Sequence, residues 1–195
     1  MQGVRSFVAI EIPLSLRHVL ENLQSDLKKA DVDVRWVRPE GIHLTLKFLG
    51  SIEKREMEKI SQTLEPLAAE WRPFELNFHG MGCFPGLKAP RVVWVGLNQG
   101  GESIRSLQHA IEERLAEEGF AREERSFTPH LTIGRVRSQK GKDALIRAIE
   151  SKKDMTIGGF WTREIVFFRS ELRPTGAIYT KMGVFPMRSV HSNKL

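Results

Sequence analysis

His43-Leu44-Thr45-Leu46 and His130-Leu131-Thr132-Ile133 are one four-residue phrase, His-X-Thr-X with apolar X, written twice in the same chain. Each copy lies in a short run of strand-forming residues. Successive side chains of a strand point to opposite faces, so His and Thr share one face and the two apolar residues share the other. Each copy thus presents an imidazole and a hydroxyl on one surface and anchors itself through the opposite one. Two imidazoles can serve as an acid and a base near neutral pH. Two hydroxyls, with backbone amides, can hold an anionic group between them. Together these groups suit the cleavage of a phosphate ester without a metal.

The repetition is not expected from composition. With 6 His and 8 Thr in 195 residues, His-X-Thr should occur by chance roughly 0.25 times. It occurs twice, each time with Leu in the middle, and the two copies start 87 residues apart (130 − 43).

The elements that must position the motifs follow from spacing. Arg5 to Ile12 reads as a strand ending at Pro13. Leu16, Leu20, Leu23 and Leu27 then recur on one helical face. Val34 to Val37 is a short strand, and Pro39-Glu40-Gly41 turns the chain into the first motif strand, residues 42–49. Residues 53–71 form a second amphipathic helix. Phe74 to Phe78 is a strand followed by a Gly/Pro-rich loop over 80–90. Residues 91–97 are a strongly apolar strand. Ile104, Leu107, Ile111 and Leu115 mark a third helix that stops at Gly119, and residues 125–136 hold the second motif. A fourth helix covers 142 to about 153, two strands cover 164–169 and 177–184, and residues 188–195 are a polar tail. Each half carries a strand-helix-strand unit with one motif. That organisation implies two similar lobes within a single domain, 1–187, whose His-bearing strands line the groove between them.

Bulk properties narrow the functional classes. The chain is 41% hydrophobic and 28% charged, ordinary for a soluble globular protein. No apolar run approaches the roughly 20 residues that span a bilayer, and the N-terminal stretch, interrupted by Glu11, is a poor signal peptide. A cytoplasmic location is expected. The one cysteine, Cys83, has no disulfide partner, and no Cys/His cluster has zinc-ligand spacing. Cys83 reads as a small buried residue. A formal net charge of +6 favours an anionic partner such as RNA or a nucleotide.

At this level of detail the chain resembles the RNA 2′,3′-cyclic phosphodiesterases, once called 2′-5′ RNA ligases, of the two-histidine phosphoesterases. The resemblance rests on Arg5-Ser6-Phe7-Val8-Ala9-Ile10, on the run from Trp36 through His43-Leu44-Thr45-Leu46 to Gly50, on Gly82-Cys83-Phe84-Pro85, on Pro90-Arg91-Val92-Val93-Trp94, and on Phe127 through His130-Leu131-Thr132-Ile133 to Arg135. It implies a bilobal α+β fold with two pseudo-symmetric lobes of antiparallel sheet, helices packed outside and a central cleft. It also implies hydrolysis of an RNA or nucleotide 2′,3′-cyclic phosphate to a 2′-phosphomonoester, with His43 as proton donor and His130 as proton acceptor, although residue chemistry alone leaves that polarity open. Thr45 and Thr132 would bind the phosphate. No metal or cofactor is implied, and a cleft inside one chain needs no second copy, so a monomer is expected. Reverse, ATP-independent 2′-5′ joining is the secondary activity. A non-catalytic RNA-binding module is the competing class.

Two basic residues remain open. The resemblance places Arg135 on the phosphate, but strict alternation gives it the parity of the core face. A bulge at Gly134 would re-aim it. Lys47 has the parity of His43 and Thr45, which places it either at the cleft mouth against RNA or in solvent. His18, His79, His109 and His191 read as surface residues. Phe127 could stack a base or pack the core.

Overall fold

The structure is a computed structural model that describes residues 3–173 and 176–188. In chain order the first half comprises β1 (Val4–Glu11), α1 (Leu14–Lys28), β2 (Val34–Trp36), a 3-10 turn (Pro39–Gly41), β3 (His43–Ile52), α2 (Lys54–Glu70), β4 (Phe74–Phe84) and β5 (Val92–Gln99). The second half comprises α3 (Gly101–Glu117), β6 (Leu131–Val136), α4 (Lys142–Glu150), β7 (Thr156–Thr162), β8 (Glu164–Arg173) and β9 (Gly176–Pro186). The strands make two sheets in which every pairing is antiparallel. Sheet A is ordered β3-β1-β8-β9 and sheet B is ordered β2-β6-β5-β4-β7.

The run Phe7-Val8-Ala9-Ile10 explains why β1 is internal: it is apolar on both faces, so it needs cover above and below as well as a neighbour on each side. Val8 and Ile10 face the main core, while Phe7 and Ala9 join Val166 and Phe168 in a smaller cluster on the opposite, groove-facing side. Helices α2 and α3 back sheet A, and α1 and α4 back sheet B. Helix α1 presents Leu16, Leu20, Leu23 and Leu27 to the core, each stabilising the fold by roughly 1.5–3 kcal/mol on full burial. Helix α2 starts with a capping box in which the Glu53 carboxylate accepts from the backbone of Glu56 while the Glu56 carboxylate accepts the Glu53 N–H at 2.6 Å. One apolar cluster runs continuously through both sheets.

Two elements differ from expectation. β4 does not stop at Phe78 but continues to Phe84. Gly80 lets it through: its φ of +70° accommodates a register shift, and the Lys153 carbonyl lies where a Cβ would sit. β7 has no counterpart in the elements expected from spacing. The polar tail expected over 188–195 lies, beyond Arg188, outside the described residues; the Arg188 N–H donates to the Trp71 carbonyl at 2.8 Å.

Candidate active site

β3 carries the first motif along the edge of sheet A. Leu44 and Leu46 are 0% and 3% exposed, fixing the strand to the core. His43 and Thr45 are half-buried on the opposite face. Pairing with β1 then skips a residue, from Ala9↔Thr45 to Val8↔Lys47, which leaves Leu46 as a bulge. A bulge reverses the parity of everything after it. Lys47 therefore does not join His43 and Thr45 in the groove. It is buried at 3% exposure, ion-paired to Glu112 of α3 and donating to the Ala121 carbonyl at 2.7 Å. Phe48 takes the groove face instead and is 62% exposed.

β6 repeats the arrangement. His130 immediately precedes it, Leu131 and Ile133 are fully buried, and Thr132 is half-buried on the other face. Pairing with β5 jumps from Trp94↔Thr132 to Val93↔Gly134, so this strand bulges at Ile133. Arg135 consequently pairs opposite Val92, on the face shared by Trp94 and Thr132, and is exposed. The bulge is held from outside the sheet. Its Ile133 carbonyl accepts from the Val37 N–H at 3.0 Å and from the buried Gln24 amide at 2.8 Å. Gly134 is required because Val34 and Trp36 would lie 2.6 and 3.0 Å from a Cβ there. The β3 and β6 strands contact each other, bringing both motifs to one groove.

Aromatic rings enclose both imidazoles. Phe7 stacks on His43 with centroids 4.5 Å apart and planes at 24°, and Tyr179 meets it edge-on at 5.1 Å. Burial pushes the His43 pKa from 6.5 to about 4, with a backbone hydrogen bond to Gly41 working in the other direction. His130 meets the edge of Phe84 at 4.9 Å, and its Nδ1 lies 2.7 Å from the Thr128 carbonyl. Because a carbonyl only accepts, Nδ1 carries the hydrogen and Nε2 is left for the groove. Burial lowers the His130 pKa, the Thr128 hydrogen bond opposes this, and the nearby Arg135 guanidinium adds to the lowering. Both imidazoles are therefore held neutral at pH 7, and a bound anion is what would favour a proton on one of them.

Residues 12–172 match the family model of the 2′-5′ RNA ligase superfamily. The chain belongs to that superfamily. Among superfamily relatives, an RNA 2′,3′-cyclic phosphodiesterase of Methanothermobacter thermautotrophicus is 36% identical over 93% of this chain and 98% of its own length. A protein of the same name from Archaeoglobus fulgidus is 33% identical over 93% of this chain and 99% of its own. The crystal structure of TT0787 from Thermus thermophilus shares the fold, with a TM-score of 0.79, 24% identity and coverage of 96% and 100% of the two chains. The expected α+β, bilobal architecture with helices outside the two sheets is the one this superfamily member adopts.

Phe127 packs against the main core. His18 and His109 are exposed, His79 is half-buried with its Nδ1 unpaired, and His191 lies outside the described residues. Cys83 is buried, which pushes its thiol pKa up. Among the described residues no three His, Cys, Asp or Glu side chains gather into a metal-ligating group, and no helix is long and apolar enough to cross a membrane. Sequence reasoning missed the rings that enclose the histidines. Phe7 was legible in principle from the two-faced apolar run of β1, whereas Tyr179 comes from a distant strand with no local signal.

Proposed function

We propose that this protein hydrolyses 2′,3′-cyclic phosphate ends of RNA to 2′-phosphomonoesters, the activity named for its relatives. His130 Nε2 takes a proton from water, the oxygen bonds to phosphorus, and the bond from phosphorus to the 3′ oxygen breaks. His43 gives its proton to the departing 3′ oxygen, leaving a 3′-hydroxyl and a 2′-phosphate. Thr45, Thr132 and Arg135 hold the non-bridging oxygens and stabilise the charge that builds on them. The phosphate's negative charge, placed against the neutral His43, raises that imidazole's affinity for the proton it must donate. With an RNA 5′-hydroxyl in place of water, His130 takes its proton, the 5′ oxygen bonds to phosphorus and the 3′ oxygen leaves with the proton from His43. This joins the ends through a 2′-5′ linkage; the abundance of water favours hydrolysis.

The observation that carries this reading is the paired geometry: two groove-facing His and Thr pairs on contacting strands, with a bulge that turns Arg135 onto the same face. A groove completed within one chain lets a monomer act, and a single buried thiol suits the reducing cytoplasm. The test is turnover of an oligoribonucleotide with a 2′,3′-cyclic phosphate end in excess EDTA, with phosphorus NMR locating the product phosphate. A 2′-phosphate should appear, and His43→Ala or His130→Ala should each slow turnover by about 10²–10⁴-fold. A 3′-phosphate would exchange the two roles. RNA binding without turnover would make the protein a binding module.

A further inference from the structure

Beside the phosphate position, the groove holds a second concentration of positive charge that no step of the reaction uses. Arg5 shares the groove face of β1 with Phe7 and lies two residues, about 7 Å, further along than the ring beneath His43. Ser6 pairs with Arg169 and Ser170 with Tyr179, so the Arg5 row runs across sheet A towards the Tyr179 ring. From sheet B, Arg35 pairs directly with Arg135 and is likewise exposed. Its guanidinium lies beside Gly176 at the start of β9, 4.0 Å from where a Cβ would be, so it reaches across to the opposite sheet. Burial pushes the Tyr179 hydroxyl pKa up, and Arg135 and Arg5 pull in the other direction.

None of these three arginines forms an ion pair among the described residues, although many other basic side chains of the protein do. The other end of β1 is different. There the single Glu11 carboxylate, opposite His43 in register, ion-pairs with both Arg17 and Lys181. The basic groups at that end of β1 thus share a carboxylate, whereas Arg5 and Arg35 share none among the described residues. Exposed arginines gathered without counter-charge repel one another and are relieved by a shared anion, and the guanidinium fork matches phosphate oxygens.

We propose that Arg5, Arg35 and the Tyr179 hydroxyl form a second anion subsite, which holds the internucleotide phosphate immediately upstream of the reacting end. The inference rests on the cyclic phosphodiesterase reading and gives it a direction and a substrate class. The RNA chain runs from His43 towards Arg5, and oligonucleotides are preferred to mononucleotides.

Three probes test it: adenosine 2′,3′-cyclic phosphate, an adenosine dinucleotide ending in that group, and the same dinucleotide with an uncharged methylphosphonate linkage. The charged dinucleotide should show a kcat/KM about 10-fold or more above the methylphosphonate form, as expected for charge-assisted contacts to one phosphate. In Arg5→Ala and Arg35→Ala that ratio should fall towards one, and Tyr179→Phe should lower it in part. A ratio near one in the wild type overturns the subsite, as does a ratio that neither arginine substitution changes. If no probe is turned over, the hydrolase reading fails. Binding of the two dinucleotides by calorimetry then still decides the subsite, because only a phosphate site prefers the charged linkage.

Discussion

Replacing His43 with Gln should make the protein more resistant to acid, by an amount the structure sets. Burial lowers the His43 pKa from 6.5 to about 4. The unfolded chain takes up a proton as pH falls through 6.5, but the folded protein refuses it until pH approaches 4. The unfolded state thus binds more protons throughout that window, so stability falls with pH between 6.5 and 4. Each pKa unit is worth 1.36 kcal/mol, so the loss reaches about 3 kcal/mol at pH 4. The glutamine amide of His43→Gln cannot take a proton, and the carboxylates and His130 are common to both proteins. The stability difference between variant and wild type should therefore move by about 3 kcal/mol in favour of the variant on going from pH 7 to pH 4. Urea unfolding followed by fluorescence of the 4 Trp residues at pH 7, 5.5 and 4 measures the difference, and an NMR titration of the imidazole measures its origin. A gap that stays constant across this range, or a His43 that titrates near 6.5 in the free protein, would refute the argument that burial holds this imidazole neutral.

The two bulges offer separate tests. Lys47→Met strands the Glu112 carboxylate in the core and should destabilise the fold by about 3–5 kcal/mol, most of it regained in Lys47→Met/Glu112→Leu; a loss in urea unfolding of under about 1 kcal/mol would show that the pair is not a buried one. Gln24→Leu removes the amide that donates to the Val37 and Ile133 carbonyls at 2.7 and 2.8 Å. It should cost about 1–3 kcal/mol of stability and raise KM for the cyclic substrate with little change in kcat. If the same rise in KM occurs in an Arg135→Ala background, the bulge does not act by aiming that arginine.

Much of the fold was legible because local patterns agreed with the tertiary structure. Leu16, Leu20, Leu23 and Leu27 form one helical face, and Leu44 and Leu131 anchor the motifs as alternation requires. β7 escaped because Thr-Ile-Gly-Gly-Phe-Trp-Thr carries two glycines, which read as a break. Gly159 is there because the backbone and Asn77 of β4 fill the space a side chain would occupy, a fact held in another strand. The misplacement of Lys47 has a similar cause. Gly134 hinted at the second bulge, but nothing in Leu46 signals the first, which is set by the register with β1. The two His and Thr pairs were thus readable locally, while the surroundings that tune them depended on pairings remote in sequence.

The order of strands in sheet A bears on how the active site comes into being during synthesis. β1 and β3 are made early, but β1 must pair with β8, and His43 is enclosed by Tyr179 of β9. A ribosome that has already released both His-X-Thr phrases therefore holds a chain with half a sheet and an imidazole still open to water. The enclosure of His43 is therefore complete only once β8 and β9 have joined sheet A, so strands far along the chain finish a site whose first motif lies near its start.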